Sequence, residues 1–236
     1  MLQTNNPSIS EEAKIFIKKE KLFLIKTFAD LEKFPPLKKP SAIFMAGSPG
    51  AGKTEFSLRW LKLMEPNRIV RIDADEIRKI IPQYNGKNSD IVQGAAALGV
   101  EKIYDYVLKN NQSALIDGTF ANYKIASENI RRSLKRNRKV GVFYIYQDPL
   151  IAWDFAKKRE KLEGRYIPKE TFIQSFFNAK ENAQLAKKEF GDRIELNLVV
   201  KDKNNKDARI EFDIKEGIDK FIEITYNKNS LNTILC

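Results

Sequence analysis

Gly47-Ser48-Pro49-Gly50-Ala51-Gly52-Lys53-Thr54 fits the pattern G-x-x-x-x-G-K-[ST] without a mismatch. Upstream, Ala42-Ile43-Phe44-Met45-Ala46 reads as a buried strand, and Glu55 to Leu63 reads as a helix. The glycines therefore fall in the strand–loop–helix context that gives the pattern its meaning. Glycine lets the backbone curl until successive N–H groups point at one anion. The helix that follows adds its unpaired N–H groups and the positive end of its dipole. Lys53 then reaches the outer phosphates as a point charge, and the Thr54 hydroxyl sits on Mg²⁺. The expected ligand is a nucleoside triphosphate, held by Gly47, Ser48, Pro49, Gly50, Ala51, Gly52, Lys53 and Thr54.

Outward from the loop, strands and helices alternate. Arg68–Ile72 reads as a strand ending in Asp73-Ala74-Asp75, followed by a helix from Glu76 to Ile81 that Pro82 ends. A long helix spans Asp90–Asn110, and a strand at Ser113–Ile116 ends in Asp117-Gly118-Thr119. A helix at Tyr123–Arg136 leads to a strand at Val140–Tyr146, then to helices at Ile151–Leu162 and Lys169–Glu189. Glu195–Val200 and Arg209–Ile214 flank a polar loop and read as a hairpin. Repeated strand–helix units imply an α/β fold, a parallel sheet with helices on both faces, whose ligands bind at the carboxyl ends of the strands. Before the core, Ser8 and Glu11 offer a capping box, and Ile17, Leu24, Phe28 and Leu31 form one apolar helical stripe that ends before Pro35-Pro36. The expected organisation is a helical extension and linker over 1–40, a core over 41–214 with a helical lid at about 150–190, and a tail over 215–236. In the tail, Ile218, Phe221 and Ile222 suit a short helix and the end is expected to fray.

Lys and Arg outnumber Asp and Glu by 42 to 31, a formal charge of +11. Such a surface suits a polyanionic partner, or is simply a lysine-rich solvated face. The run from Arg131 to Lys139 fits a helix C-terminus, where cations are favoured. With no histidine, proton transfer falls to Asp, Glu, Lys or Tyr. A lone cysteine, Cys236, excludes disulfides within the chain, and Met1–Ser10 lacks a signal-peptide core. The longest apolar run, Val140–Tyr146, is too short for a bilayer, so the expectation is a cytoplasmic protein with no membrane partner.

Three strand ends bring the loop, the Asp73/Asp75 pair and Asp117 to one edge of the sheet. Asp75 lies near a helix start and can reach into the cleft as a base or a guide for Mg²⁺; either aspartate also suits a helix cap. Asp117 resembles a Walker B acid that holds Mg²⁺ through water, or else serves a turn. Glu101 sits beside the apolar stripe of the long helix, at the cleft or in solvent. Arg159 and Arg165 bracket the break between two helices, where arginines on a mobile segment close over phosphates, although each alone also fits an exposed surface. Arg78, three residues after Asp75, suits a local pair.

The loop, Ile72-Asp73-Ala74-Asp75, Ile80-Ile81-Pro82-Gln83-Tyr84, Asp117-Gly118-Thr119 and Arg159…Arg165-x-x-Pro168-Lys169 occur in an order that resembles the zeta toxin family over roughly residues 40–200. That resemblance implies a P-loop kinase fold and a bacterial toxin that moves the γ-phosphate of ATP to the 3′-hydroxyl of the amino sugar of UDP-N-acetylglucosamine. It implies Lys53 and Thr54 on ATP and Mg²⁺, Asp75 as general base, and Arg159 and Arg165 at the γ-phosphate. Glu101 falls at the position of a sugar contact, and Asp117 and Thr119 fall at the acceptor and base. An antitoxin, or the N-terminal helix acting in cis, would restrain the activity. The chain departs from the family in having Asp117 where glutamate is usual, in a shorter spacing between the two arginines, and in the extra N-terminal helix. Two other readings stand beside it. Asp75-x-x-Arg78 and the +11 charge suit a polynucleotide 5′-kinase with nucleic acid as acceptor, or another hydroxyl kinase. A non-catalytic ATP-dependent switch whose N-terminal helix docks a partner is the third.

Overall fold

The computed structural model describes residues 8–64, 68–215 and 217–235. Cys236 and Met1–Pro7, on which the compartment reading leans, lie outside them. Helices α1 (Ile9–Lys19) and α2 (Lys21–Phe28) precede β1 (Ser41–Ala46), and the loop leads into α3 (Lys53–Leu63). There follow β2 (Ile69–Asp73), α4 (Ala74–Lys79), α5 (Gln93–Lys109), β3 (Ser113–Asp117), α6 (Tyr123–Leu134), β4 (Lys139–Tyr146), α7 (Pro149–Glu163) and α8 (Lys169–Phe190). The chain then makes β5 (Ile194–Lys201), β6 (Asp207–Glu211) and α9 (Lys228–Ile234).

The six strands form one sheet in the order β2-β3-β1-β4-β5-β6. All neighbours are parallel except β6, which turns back on β5 as the expected hairpin. Side chains alternate across each strand and so divide the core in two. Ile43, Met45, Leu115, Phe143 and Ile145 pack with Phe56 and Leu61 of α3 on one face. Phe44, Val70, Ile72, Val142 and Tyr144 pack on the other, with residues of α5 and α8 such as Ile103 and Ala183. The chain leaves β1 for β2 on one side and later reaches β4 on the other. The loop after β1 therefore stands at the crevice where strand order reverses.

Three expectations are corrected. The N-terminal stripe is not one helix: the chain turns at Glu20, so that Ala13 and Ile17 of α1 and Leu24 and Ile25 of α2 are all buried, while Leu31 is exposed. The capping box is half made. Ser8 Oγ accepts from the Glu11 N–H, but the Glu11 carboxylate takes Lys14 instead. The tail does not fray at α9, where Asn227 and Ser230 form a reciprocal cap and Leu231 and Leu235 are buried against Trp153 and Phe172. The basic run does fall at helix C-termini: Arg131 and Arg132 lie in the last turn of α6, and the buried Arg138 donates to the Val107 and Leu108 carbonyls at the end of α5 and to the Gln112 carbonyl just before β3. Among the described residues no helix is long and apolar enough to cross a membrane.

Candidate active site

The loop is built so that its neighbours come close. Gly50 has φ +75°, and a Cβ there would lie 2.0 Å from the Ala152 carbonyl of α7. Gly52, at φ +80°, is the N-cap of α3, and a Cβ would meet the Asn205 amide of the β5–β6 turn at 2.5 Å. At Gly50 only glycine satisfies both the positive φ and the backbone contact; at Gly52 the positive φ is what favours it, since the Asn205 side chain can move. The Gly47 N–H donates to the Thr119 carbonyl at 3.1 Å, which ties the loop to the end of β3. Lys53 Nζ donates to the carbonyls of Gly47 (3.0 Å) and Ser48 (2.7 Å). Burial pulls its ammonium down to about 8; Asp117 and Asp75 oppose this, while Arg165 and Arg159 add to it. These five charges therefore sense one another at the carboxyl edge of the sheet.

Asp73 caps α4, its Oδ1 accepting from the Asp75 N–H at 2.8 Å. That cap sets Asp75 in the first turn, where three guanidinium groups meet it. Arg78 bonds its Oδ1, as the i,i+3 spacing allows. Arg159 donates to Oδ2 at 3.0 Å, and Arg165 bonds the same oxygen from the segment between α7 and α8. Burial alone would raise the Asp75 carboxyl; Arg165, Arg78 and Arg159 outweigh it and hold the group below the usual carboxylate range. Arg78 is itself buried and also donates to Gln93 at the start of α5.

Asp117 stands opposite Asp73 in the β2–β3 register. Its Oδ2 accepts from Ser57 Oγ (3.0 Å) and from Arg71 Nη2 (2.6 Å), and Arg71 Nη2 also reaches Asp73 Oδ2 at 2.6 Å. Burial and the charge of Asp117 push the Asp73 carboxyl up, with Arg71 opposing them. The structure thus brings together the loop, Lys53, Asp73, Asp75, Asp117, Arg78, Arg159 and Arg165. Gln93, Ala97 and Glu101 form one exposed row on α5, and Glu101 lies about 12 Å along the helix from Gln93. Sequence reasoning passed over Arg71. The signal was there: a charge inside Ile69-Val70-Arg71-Ile72, two residues before Asp73 and so on the same face.

A parallel sheet with this loop after its first strand, and with acids and arginines gathered at the carboxyl edge, defines a P-loop kinase-type protein. The zeta toxin family model matches residues 26–212, and the chain belongs to that family; it is a kinase-type toxin by class and family. Among solved structures the chain is similar to one from the PezAT chromosomal toxin–antitoxin system of Streptococcus pneumoniae, at 17% identity over 97% of this chain and 95% of that one, with a TM-score of 0.66. It is also similar to the AvrRxo1-ORF1:-ORF2 structure with ATP, at 12% identity over 86% of this chain and 65% of that one, TM-score 0.59. A chain of the Pnkp1/Rnl/Hen1 RNA repair complex shares 15% identity over 78% of this chain and 51% of that one, TM-score 0.50. At such identities the likeness is one of fold. No curated protein matches the sequence.

Proposed function

We propose that the chain transfers the γ-phosphate of ATP to a hydroxyl of a sugar nucleotide, UDP-N-acetylglucosamine being the acceptor that the family resemblance implies. The observation that carries this reading is the Asp75 cluster. One ionised carboxylate and two arginines from the α7–α8 segment share the edge of the sheet with Lys53. In this reading the loop amides and Lys53 hold the outer phosphates. Thr54 offers a hard oxygen donor of the kind Mg²⁺ takes, and Asp117 stands open to the metal or to the acceptor. Bound ATP supplies the transferable phosphoryl group, and Mg²⁺ offsets its charge. Asp75 takes the proton of the acceptor hydroxyl. Arg159 and Arg165 pass from Asp75 to the phosphoryl oxygens, a role worth roughly 10³–10⁵ in rate. Thr119, fixed by its carbonyl to the loop, and Glu101 are the proposed acceptor contacts; Glu101 would need an acceptor long enough to reach the outer row of α5.

ADP release that depends on UDP-N-acetylglucosamine tests the reading. So does mass spectrometry of metabolites from cells expressing the wild type and Lys53→Ala, where a phosphorylated species found only with the wild type names the acceptor. Absence of ADP formation with every acceptor of a broad panel would leave the non-catalytic switch. The polynucleotide kinase alternative draws on Asp75-x-x-Arg78. Here Arg78 is 5% exposed and committed to Asp75 and Gln93, which leaves little of it for a nucleic-acid backbone. A flat salt response in oligonucleotide binding would discard that alternative.

For restraint we infer a separate antitoxin, as in the toxin–antitoxin system of the PezAT neighbour. The cis version is less well supported, because α1 and α2 bury Ala13, Ile17, Leu24 and Ile25 in the fold.

A further inference from the structure

Arg71 joins four side chains of the site. Its Nε donates to Ser57 of α3 (3.3 Å), Nη1 to Glu76 of α4 (2.5 Å), and Nη2 to Asp73 of β2 and Asp117 of β3. The strand register requires some such group. Asp73 and Asp117 are direct neighbours on adjacent parallel strands, on the face that carries Leu115 and α3. Two carboxylates placed side by side and buried repel each other. Arg71, two residues before Asp73 and on the same face, bonds one oxygen of each. Its side chain is 9% exposed, so little water competes for it.

That contact also fixes which way Asp117 faces. The oxygen bonded by Arg71 is the one that accepts from Ser57. Ser57 lies one turn beyond Thr54 on α3 and is fully buried, and its one hydroxyl proton is shared between Asp117 and the Thr54 carbonyl, each at 3.0 Å. The carboxylate is therefore held against the phosphate-loop helix. Asp75 has its own partners in Arg78, Arg159 and Arg165.

We propose that Arg71 is a positioning residue that commits Asp117 to the phosphate-loop side of the cleft, where with the Thr54 hydroxyl it serves the divalent cation accompanying the nucleotide rather than the acceptor hydroxyl. This rests on the kinase reading, and it chooses the metal for Asp117 over the acceptor and turn roles that the sequence also left open. Arg71 acts through Asp117, as groups behind a metal ligand do when they orient it.

The test uses the full chain and the fluorescent analogue mant-ATP, titrated with EDTA present and again with saturating Mg²⁺; Mn²⁺ affinity of the nucleotide complex is read separately by electron paramagnetic resonance. In Arg71→Met, Mn²⁺ affinity should fall by roughly 10–100-fold, the usual effect of losing an orienting group, and the Mg²⁺-dependent gain in mant-ATP affinity should shrink with it. Affinity in EDTA should stay close to wild type, and Arg71→Lys should recover part of the loss. Asp117→Asn, which leaves Arg71 in place, should reproduce the metal defect and covers the case in which Arg71→Met fails to fold. Normal Mn²⁺ affinity in Asp117→Asn or in folded Arg71→Met overturns the proposal. So does a parallel fall of affinity in EDTA and in Mg²⁺ together with melting temperature, which is what a merely structural arginine would give. A wild-type chain that binds no mant-ATP would overturn the kinase reading itself, a result distinct from either.

Discussion

Two of the three guanidinium groups on Asp75 come from the far end of α7 and the segment after it, and a bound triphosphate would draw on the same two. The carboxylate therefore competes with substrate for its own helpers. Asp75→Asn should cut turnover by roughly 10²–10⁴, the worth of a general base. The same change should tighten mant-ATP binding by about fivefold or more, the lower range of coupling between sites. Weaker binding in the variant would show that Asp75 supports the nucleotide rather than competing with it. Lys53 gives a pH signature of definite sign. Its ammonium, pulled down to about 8 by burial, is charged below that pH and neutral above it in the free protein. Phosphate favours the charged form. Binding above pH 8 must therefore take up a proton, and affinity should fall as pH rises, by up to about tenfold per unit. Calorimetry in buffers of different ionisation heat should detect that uptake near pH 9 and not at pH 6.5, and Lys53→Met should abolish the slope.

At the scale of elements, α7 rests directly on the phosphate loop. Gly50 meets the backbone of Ala152 and Ala156, and Arg159 follows further along the same helix. The loop thus sets where the helix stands, and the helix carries an arginine to Asp75. Gly50→Ala should lower stability by about 1–3 kcal/mol or more, from the positive φ and the overlap together, and should abolish mant-ATP binding. Gly118→Ala is the control: a Cβ there meets nothing within 4 Å, so its stability should stay within about 0.5 kcal/mol of wild type in denaturant titration. Much of this layer was legible beforehand. The Gly47–Thr54 pattern placed β1, the loop and α3, and the aspartates before a helix marked Asp73 and Asp75 alike as caps, of which Asp73 is the one. What the sequence hid is what local pattern does not encode. The meeting of Arg159 and Arg165 on Asp75 depends on how a helix pair folds back across the sheet, 84 and 90 residues away in sequence. The turn at Glu20 follows from packing along α5, which no period in Ile9–Phe28 announces. Helix α9 has one buried leucine, a second at its C-cap and an Asn–Ser cap, too little apolar pattern to be read as a helix.

Across the whole molecule, the two N-terminal helices form a layer on α5 that supports the site from behind. The family match begins at residue 26, so α1 lies ahead of it, yet Ile17 of α1 is fully buried. A Cβ added at Gly99 of α5 would meet both Ile77 of α4 and Ile17, so the three residues pack at one point. Ile77 is two residues from Asp75. Gln112, at the start of β3, donates to the carbonyls of Ala29 and Phe34 and fastens the end of the layer. A cover that comes and goes would bury little, whereas this layer shares its core with the sheet. Ile17→Ala should therefore cost about 2–5 kcal/mol, as cavities at fully buried isoleucines do, with a clear fall in melting temperature. If α1 were a restraint in cis, the same substitution would loosen it and raise the rate of ADP formation. Measured on folded protein at low temperature, the expected rate is equal to wild type or lower, because the cavity opens behind α4 and loosens the turn that holds Asp75. A rate above wild type, with melting temperature little changed, would return α1 to the role of a cover.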